Sequence, residues 1–369
     1  MIKKSKKINR NFNNKLSYEK TQELLELLNK YQITKTIDNL DDVFHVSHFE
    51  NIEVKLPNII KTRELNDYII TIDPDSTCLK DDAISIKKVD EGYELKVYIT
   101  DPTGVIPVDS LLMNRARELG MMLEKDNYMF PSNICKKMLS LEQNKTRSVR
   151  CYKVIISPNK ELASFSISKE AIKVSNNLAY KEVDKIYKSK TSIKELNQTL
   201  ELLEKTKEFL ILDNKKSLIK NNKNIDTQKK IMNIMIYINS CVAEYFYKNN
   251  LPFIYCGHCD NLYHFDFLKE EDVLKQILSS LKNDIFYDIK PDTVLYTQVT
   301  SPMRRYVDII ANICEDKVYF SKDYDYDEFS VWLKNELFFQ TKRIRELKDY
   351  QVLKEEIKCD NVRKRNIVF

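Results

Sequence analysis

Two stretches of the chain hold residue types suited to work on phosphate. The first, TIDPDSTCLKDDAISI, places Asp73, Asp81 and Asp82 around a short loop that begins where an apolar, strand-like run ends. Crowded carboxylates repel one another and a cation relieves that repulsion, so an oxygen-rich set at a strand end suits Mg²⁺, with Mn²⁺ as the alternative. A solvated acidic turn has the same composition, and both readings stand at this point. The second stretch, YTQVTSPMRRYVDII, has Ser301 and Pro302 placed to start a helix with Arg304, Arg305 and Asp308 on its first two turns. Guanidinium forks beside a helix N-terminus match phosphate oxygens in shape and charge. The competing reading is an ion pair between one of these arginines and Asp308.

Around these stretches the hydrophobic pattern alternates between two periods. IITI, AISI and ELKVYIT read as strands of one sheet, the last two joined at Asp90-Glu91-Gly92. SLLMNRARELGMML reads as a helix, and RCYKVIIS with ASFSIS as a second hairpin turning at Pro158-Asn159. Ser192 to Glu195 has the form of a capping box, followed by an amphipathic helix to about Leu212. A lysine-rich loop then leads to a helix burying Ile231, Ile234, Met235, Ile238, Val242, Tyr245 and Phe246. A further helix starts near Pro302, and Phe329 to Leu347 reads as the last one. Near the N-terminus, Leu24, Leu25, Leu27 and Leu28 mark a docking helix behind the basic arm MIKKSKKINRNFNNK.

The bulk numbers bound the class. With 369 residues and 43% hydrophobic composition the chain can bury a large core. A formal charge of +5 permits a polyanionic partner without proving one. The arm has no apolar segment of a secretory signal, and the longest uncharged run, Ile231 to Ala243, is too short to span a bilayer, so no membrane partner is expected. Eight cysteines with mostly unpaired spacing suit a reducing compartment, and the cytoplasm is the expectation. Cys256-Gly-His-Cys259 invites a zinc reading, but no partner CxxC or HxxxH supplies the two remaining ligands.

Taken together, the acidic loop, the arginine stretch and the segments between them resemble the RNB catalytic domain of the RNase II family of 3'-to-5' exoribonucleases. TRELNDYIITID and DDAISI are similar to that family's acidic core, and KVYITDPTGVIPVDSLLMNRARELG to its next strand, turn and helix. NLAYKEV, the helix carrying Asn239, His258 downstream and YTQVTSPMRRYVDI follow in the family's order, over residues of about 60 to 316. The resemblance implies an α+β (mixed α/β) fold, a central mixed sheet wrapped by helices around an RNA channel. It divides the chain into a basic arm and helical extension at 1–55, a catalytic domain at 56–320 and a helical, charged extension at 321–369. It implies hydrolysis of single-stranded RNA to 5'-mononucleotides with Mg²⁺ and no small-molecule cofactor. By resemblance Asp73 and Asp82 bind metal, Asp81 orients the attacking water or a second metal, and Arg304 holds the phosphate. Arg305 and Ser301 support RNA binding beside it.

The pattern is broken in places. The second of the family's four aspartates falls at Leu79, and Asp75 is not a ligand in the family. The family's stacking aromatic falls near Leu123 or Glu124, with Tyr128 and Phe130 as candidate substitutes. A family glutamate aligns with Asn233 or Met232, and Leu79, Glu124 and Asn233 together motivate the alternative reading, an RNB-like pseudoenzyme that binds RNA or a partner protein without cutting. No cold-shock or S1 module is legible, so a protein partner supplying RNA-binding modules is the expectation.

Overall fold

The structure, a computed structural model, describes residues 67–122, 129–159, 161–209, 226–259, 262–267 and 296–365. The expected N-terminal helix and the candidates Leu123, Glu124 and Tyr128 lie outside the described residues.

Strands β1 (Ile70–Asp73), β2 (Asp82–Val89), β3 (Gly92–Thr100), β4 (Thr146–Ile156), β5 (Leu162–Lys173) and β6 (Asn176–Ala179) form one mixed sheet in the order β5-β4-β3-β2-β1-β6. Neighbours run antiparallel except β1 and β6, which are parallel. The expected turn between β2 and β3 depends on Gly92, whose φ is +133°. A Cβ there would lie 2.1 Å from the Ile156 carbonyl oxygen, so no other residue fits. A separate hairpin pairs β7 (Ile254–Cys259) with β8 (Leu262–Phe267), and it contains the CGHC segment.

The longer α-helices among the described residues are α1 (Leu111–Leu119), α2 (Tyr180–Ser189), α3 (Lys194–Phe209), α4 (Thr227–Lys248), α5 (Tyr306–Cys314) and α6 (Tyr326–Arg365). Ser110 caps α1, its hydroxyl accepting the Met113 N–H at 3.2 Å, and Gly120 at φ +74° ends it. Asp226 does the same for α4, accepting the Lys229 N–H at 2.8 Å. At the start of α3 the Asn197 amide bonds both backbone groups of Thr191, at 3.1 and 2.7 Å, where the sequence reads as a Ser192–Glu195 box. On α4 the expected Ile231, Ile234, Ile238, Val242 and Phe246 are buried, joining Leu95, Val97, Ile99, Ile309 and Ile310 in one core. Met235 and Tyr245 are only partly buried, and Ile236, Tyr237, Cys241 and Ala243 are buried as well, so the helix is enclosed on nearly all sides rather than on one face. Among the described residues no helix is long and apolar enough to cross a membrane.

Two expectations are corrected. Helix α5 starts at Tyr306 and not near Pro302, because Arg305 is extended (φ −139°, ψ 123°) and bridges Met121 across an antiparallel pair. Phe130 is fully buried in the hydrophobic core, so its ring is not available to a base; apolar burial outweighed the exposed role that its spacing suggested.

The core also holds a charged knot. Arg150 on β4 is wholly buried, and its guanidinium donates to Asp101 Oδ1 at 3.1 Å, Glu315 Oε2 at 2.9 Å, Thr103 Oγ1 at 2.6 Å and Asp316 Oδ2 at 2.8 Å. Tyr152 donates to Glu315 at 2.9 Å. Burial pushes the Glu315 carboxyl up to about 7, although Arg150 opposes it. Removing the arginine strands buried carboxylates. Arg150→Met should therefore lower the unfolding free energy at pH 8 by about 3–5 kcal/mol, read as a fall in urea midpoint at unchanged slope. The loss should shrink below pH 6, where Glu315 takes up a proton.

Candidate active site

The acidic loop owes its geometry to strand pairing. Ile70 of β1 lies opposite Ile84 of the antiparallel β2, so the last residue of β1, Asp73, and the first of β2, Asp82, come together at one end of the strands, along the same border of the sheet. β6 runs parallel to β1 with Ala179 opposite Asp73, which delivers Tyr180, the first residue of α2, to that border as well. Asp81 stands just before β2, and its carbonyl accepts the Thr100 N–H at 2.9 Å.

A cleft of about 460 Å³ opens there, lined by Asp73, Asp81 and Asp82 on one side and by Ser301, Met303 and Arg304 on the other. The two sides are tied: Asp81 Oδ1 accepts the Met303 N–H at 2.9 Å. On the arginine side, the Arg304 and Arg305 N–H groups both donate to the Ser301 carbonyl, at 3.2 and 3.1 Å, closing a turn. Asp308 is fully buried and accepts the Ser301 N–H at 2.6 Å and the Arg305 guanidinium at 2.8 Å. Arg304 donates to the Ser301 hydroxyl at 2.9 Å from an exposed position over the cleft. The ion-pair reading therefore holds for Arg305 and the cleft position for Arg304. Asn239 of α4 supports the approach to this turn, donating to Tyr296 Oη at 3.0 Å and accepting the Val299 N–H at 3.1 Å.

Electrostatically the cleft is a site of repulsion. Burial pushes Asp73 up to about 6 against the pull of Lys80, and burial pushes Asp81 up to about 6 against that of Arg304. Asp82 goes well above the usual carboxylate range, first by burial and then by the charges of Asp73 and Asp81. Burial, with Asp82 and Asp73, raises Tyr180 to about 12. Tyr180 and Gln228, both on the cleft wall, were not singled out by sequence as site residues. The available signal was an aromatic residue at the first turn of a helix that directly follows a strand.

The donor set fits a divalent cation. Asp73 Oδ2 is buried and has no hydrogen-bond partner among the described residues, and the charge of Asp73 opposes ionisation of Asp82. Among the described residues no group of three or more His, Cys, Asp or Glu forms a ready metal cage. Mg²⁺ does not need one, because it is commonly held by one or two carboxylates with water and phosphate oxygens completing the octahedron. Leu79 lines the cleft and contributes no oxygen, while Asp75 is exposed and pairs with Lys181 at 2.7 Å.

The pH dependence follows with its sign. Folded Asp73 and Asp81 titrate near 6 against an ordinary 3.8, so the folded chain binds more protons than the unfolded one between about pH 4 and 6. That contribution is complete below about pH 4 and is lost as pH rises through about 6. Asp82→Asn removes a buried carboxyl whose ionisation the charges of Asp73 and Asp81 oppose. It should raise the melting temperature of the metal-free protein at pH 8 by about 2–4 °C and flatten its fall between pH 5 and 8, as calorimetry would show. A lowered melting temperature at pH 8 would contradict this account of the cleft.

A family model described as the RNB domain matches residues 62–314. Ribonuclease R 1 of Lactococcus lactis is 25% identical over 318 residues, a match covering 67% of this chain and 39% of that protein. DIS3-like exonuclease 2 of Schizosaccharomyces pombe is 33% identical over 139 residues, covering 36% of this chain and 15% of that protein. The chain thus spans well under half the length of these relatives. Among solved structures, Mycoplasma genitalium RNase R in complex with ribose methylated single-stranded RNA superposes with a TM-score of 0.68 at 15% identity, over 92% of this chain and 64% of that one. Yeast Ssd1, a pseudonuclease, does so at 0.55 and 17%, over 78% and 44%. These likenesses concern the fold. The family match covers more than half of the chain, and the protein belongs to the RNB domain family.

Proposed function

We propose that this chain is a divalent-metal-dependent 3'-to-5' exoribonuclease that hydrolyses single-stranded RNA to 5'-mononucleotides, with Mg²⁺ as its ion. The observation that carries the reading is the convergence of Asp73, Asp81, Asp82 and Arg304 on one cleft from segments more than two hundred residues apart in sequence. RNB nucleases are in general dependent on divalent metal. Asp73 and Asp82 would hold the ion, which polarises the scissile phosphate and lowers the pKa of the attacking water. Arg304 neutralises charge gathering on the non-bridging oxygens as the water oxygen bonds to phosphorus. The phosphorus–O3' bond then breaks, and the 3' oxygen of the shortened strand takes up a proton. Asp81 acts through the Met303 amide, holding the arginine turn opposite the acidic strand ends. The cytoplasm is the proposed compartment, and a separate protein that feeds RNA to the domain is the proposed partner.

A second reading has one specific observation behind it. Leu79 presents an apolar wall where the family carries its second aspartate, which favours an RNA-binding protein that does not cut. The test is incubation with 5'-labelled single-stranded RNA and Mg²⁺. The wild type should yield a ladder of shortening products, Asp82→Asn none, and Arg304→Ala a rate lower by about 10²- to 10³-fold. Binding without shortening in the wild type would replace the enzyme reading by the binding one. Under the enzyme reading, Leu79→Asp should raise the rate, because it adds an oxygen at the cleft wall.

A further inference from the structure

Helix α6 runs for 40 residues, and the chemistry above gives it no part. One stretch of it grips the end of α1. Gln340, fully buried, donates from Nε2 to the Arg117 carbonyl at 3.0 Å, and Arg343 donates from Nε to the Glu118 carbonyl at 2.7 Å. In return Arg117 Nε donates to both oxygens of Glu336, at 2.8 and 2.9 Å, with its guanidinium 4.0 Å from the Phe339 ring centre. Those two carbonyls belong to the last turn of α1, which has no following turn to satisfy them. Side chains of α6 complete that helix end.

The same end of α1 is joined to the arginine turn. Gly120 accepts the Tyr306 N–H at 2.8 Å, Met122 donates to the Arg304 carbonyl at 2.9 Å, and Met121 bridges Arg305. Gly120 sits at φ +74°, and a Cβ on it would come within 3.0 Å of Arg343 Cγ and 3.2 Å of Gln340 Oε1. The residues of α6 that complete α1 therefore also pack against the joint from which the chain leaves to pair with Arg304.

We propose that Gln340 and Arg343 are positioning residues for Arg304. Two sets of hydrogen bonds hold the backbone of the arginine turn. One comes from the sheet, through Asp81 and the Met303 amide; the other comes from Gly120 and Met122, and α6 sets its place. With the second set loosened, the guanidinium can swing about Met303, away from the strand ends carrying Asp73 and Asp82. The role of Arg304 in catalysis rests on the exoribonuclease reading, whereas the mechanical coupling of α6 to the turn does not.

The test uses the full chain with Gln340→Leu/Arg343→Met, with Gln340→Leu/Arg343→Lys, which retains a donor to the Glu118 carbonyl, and with Phe338→Ala, an exposed position on the same helix. Amide hydrogen exchange in residues 119–122 and 301–306 should quicken by about tenfold or more in the first variant while β3 stays protected, and the other two should stay closer to wild type. On single-stranded RNA the first variant should lose about ten- to a hundredfold in kcat with little change in KM, and the lysine variant should recover part of it. Unchanged exchange at 301–306 overturns the proposal. So does quickening spread equally through β3, which marks a general loss of stability. A wild type that cuts no RNA defeats the functional reading, and the exchange experiment still decides the positioning role.

Discussion

One hydrogen bond ties the acidic side of the cleft directly to the arginine turn: Asp81 accepts the Met303 amide at 2.9 Å across 222 residues of sequence. A charged acceptor in a half-buried setting makes such a bond worth about 1.5–3 kcal/mol. Its consequence is larger than its energy. It fixes the spacing between the border of the sheet and the turn that displays Arg304. The other supports, Asn239 on the approach and Met122 on the Arg304 carbonyl, hold the same turn from other sides.

This spacing is kept against electrostatic strain. Asp73, Asp81 and Asp82 all ionise less readily than free carboxylates, because burial removes water from each and, at Asp82, the charges of Asp73 and Asp81 add to it. A fold selected for stability alone would place amides there. Arg304 offsets part of the repulsion, and a buried oxygen of Asp73 still has no partner among the described residues. That imbalance suits a site whose missing positive charge arrives from outside the chain.

The rigid frame behind the cleft is built differently. Arg150 lies opposite Ile99, near the end of β3 that leads to Asp101, and four acceptors enclose its guanidinium. Here charges are paired and mostly buried, with Lys169 also pairing Asp316, while at the cleft they are crowded and partly open. One part of the same sheet border is thus locked by ion pairing, and its neighbour is held ready for a ligand by backbone pairing.

Much of this could be read from local pattern. The alternation through Ile84, Ile86, Leu95, Val97 and Ile99, the cap at Ser110 and the period of α4 each follow from chemistry within a few residues, and so do the strands and helices they define. The aspartates and Arg304 were legible by residue type. What sequence could not decide was anything set by partners distant along the chain. Arg305 is drawn into an extended pairing with Met121, which moves the start of α5 to Tyr306; Phe130 turns inward because the core takes its apolar area; Tyr180 reaches the cleft because β6 pairs with β1. The amino-acid sequence by itself determined the elements and the stock of charged groups, since these depend on near neighbours. Only the tertiary structure decided which charges meet, because burial and long-range hydrogen bonds arise when segments far apart in the chain are packed together.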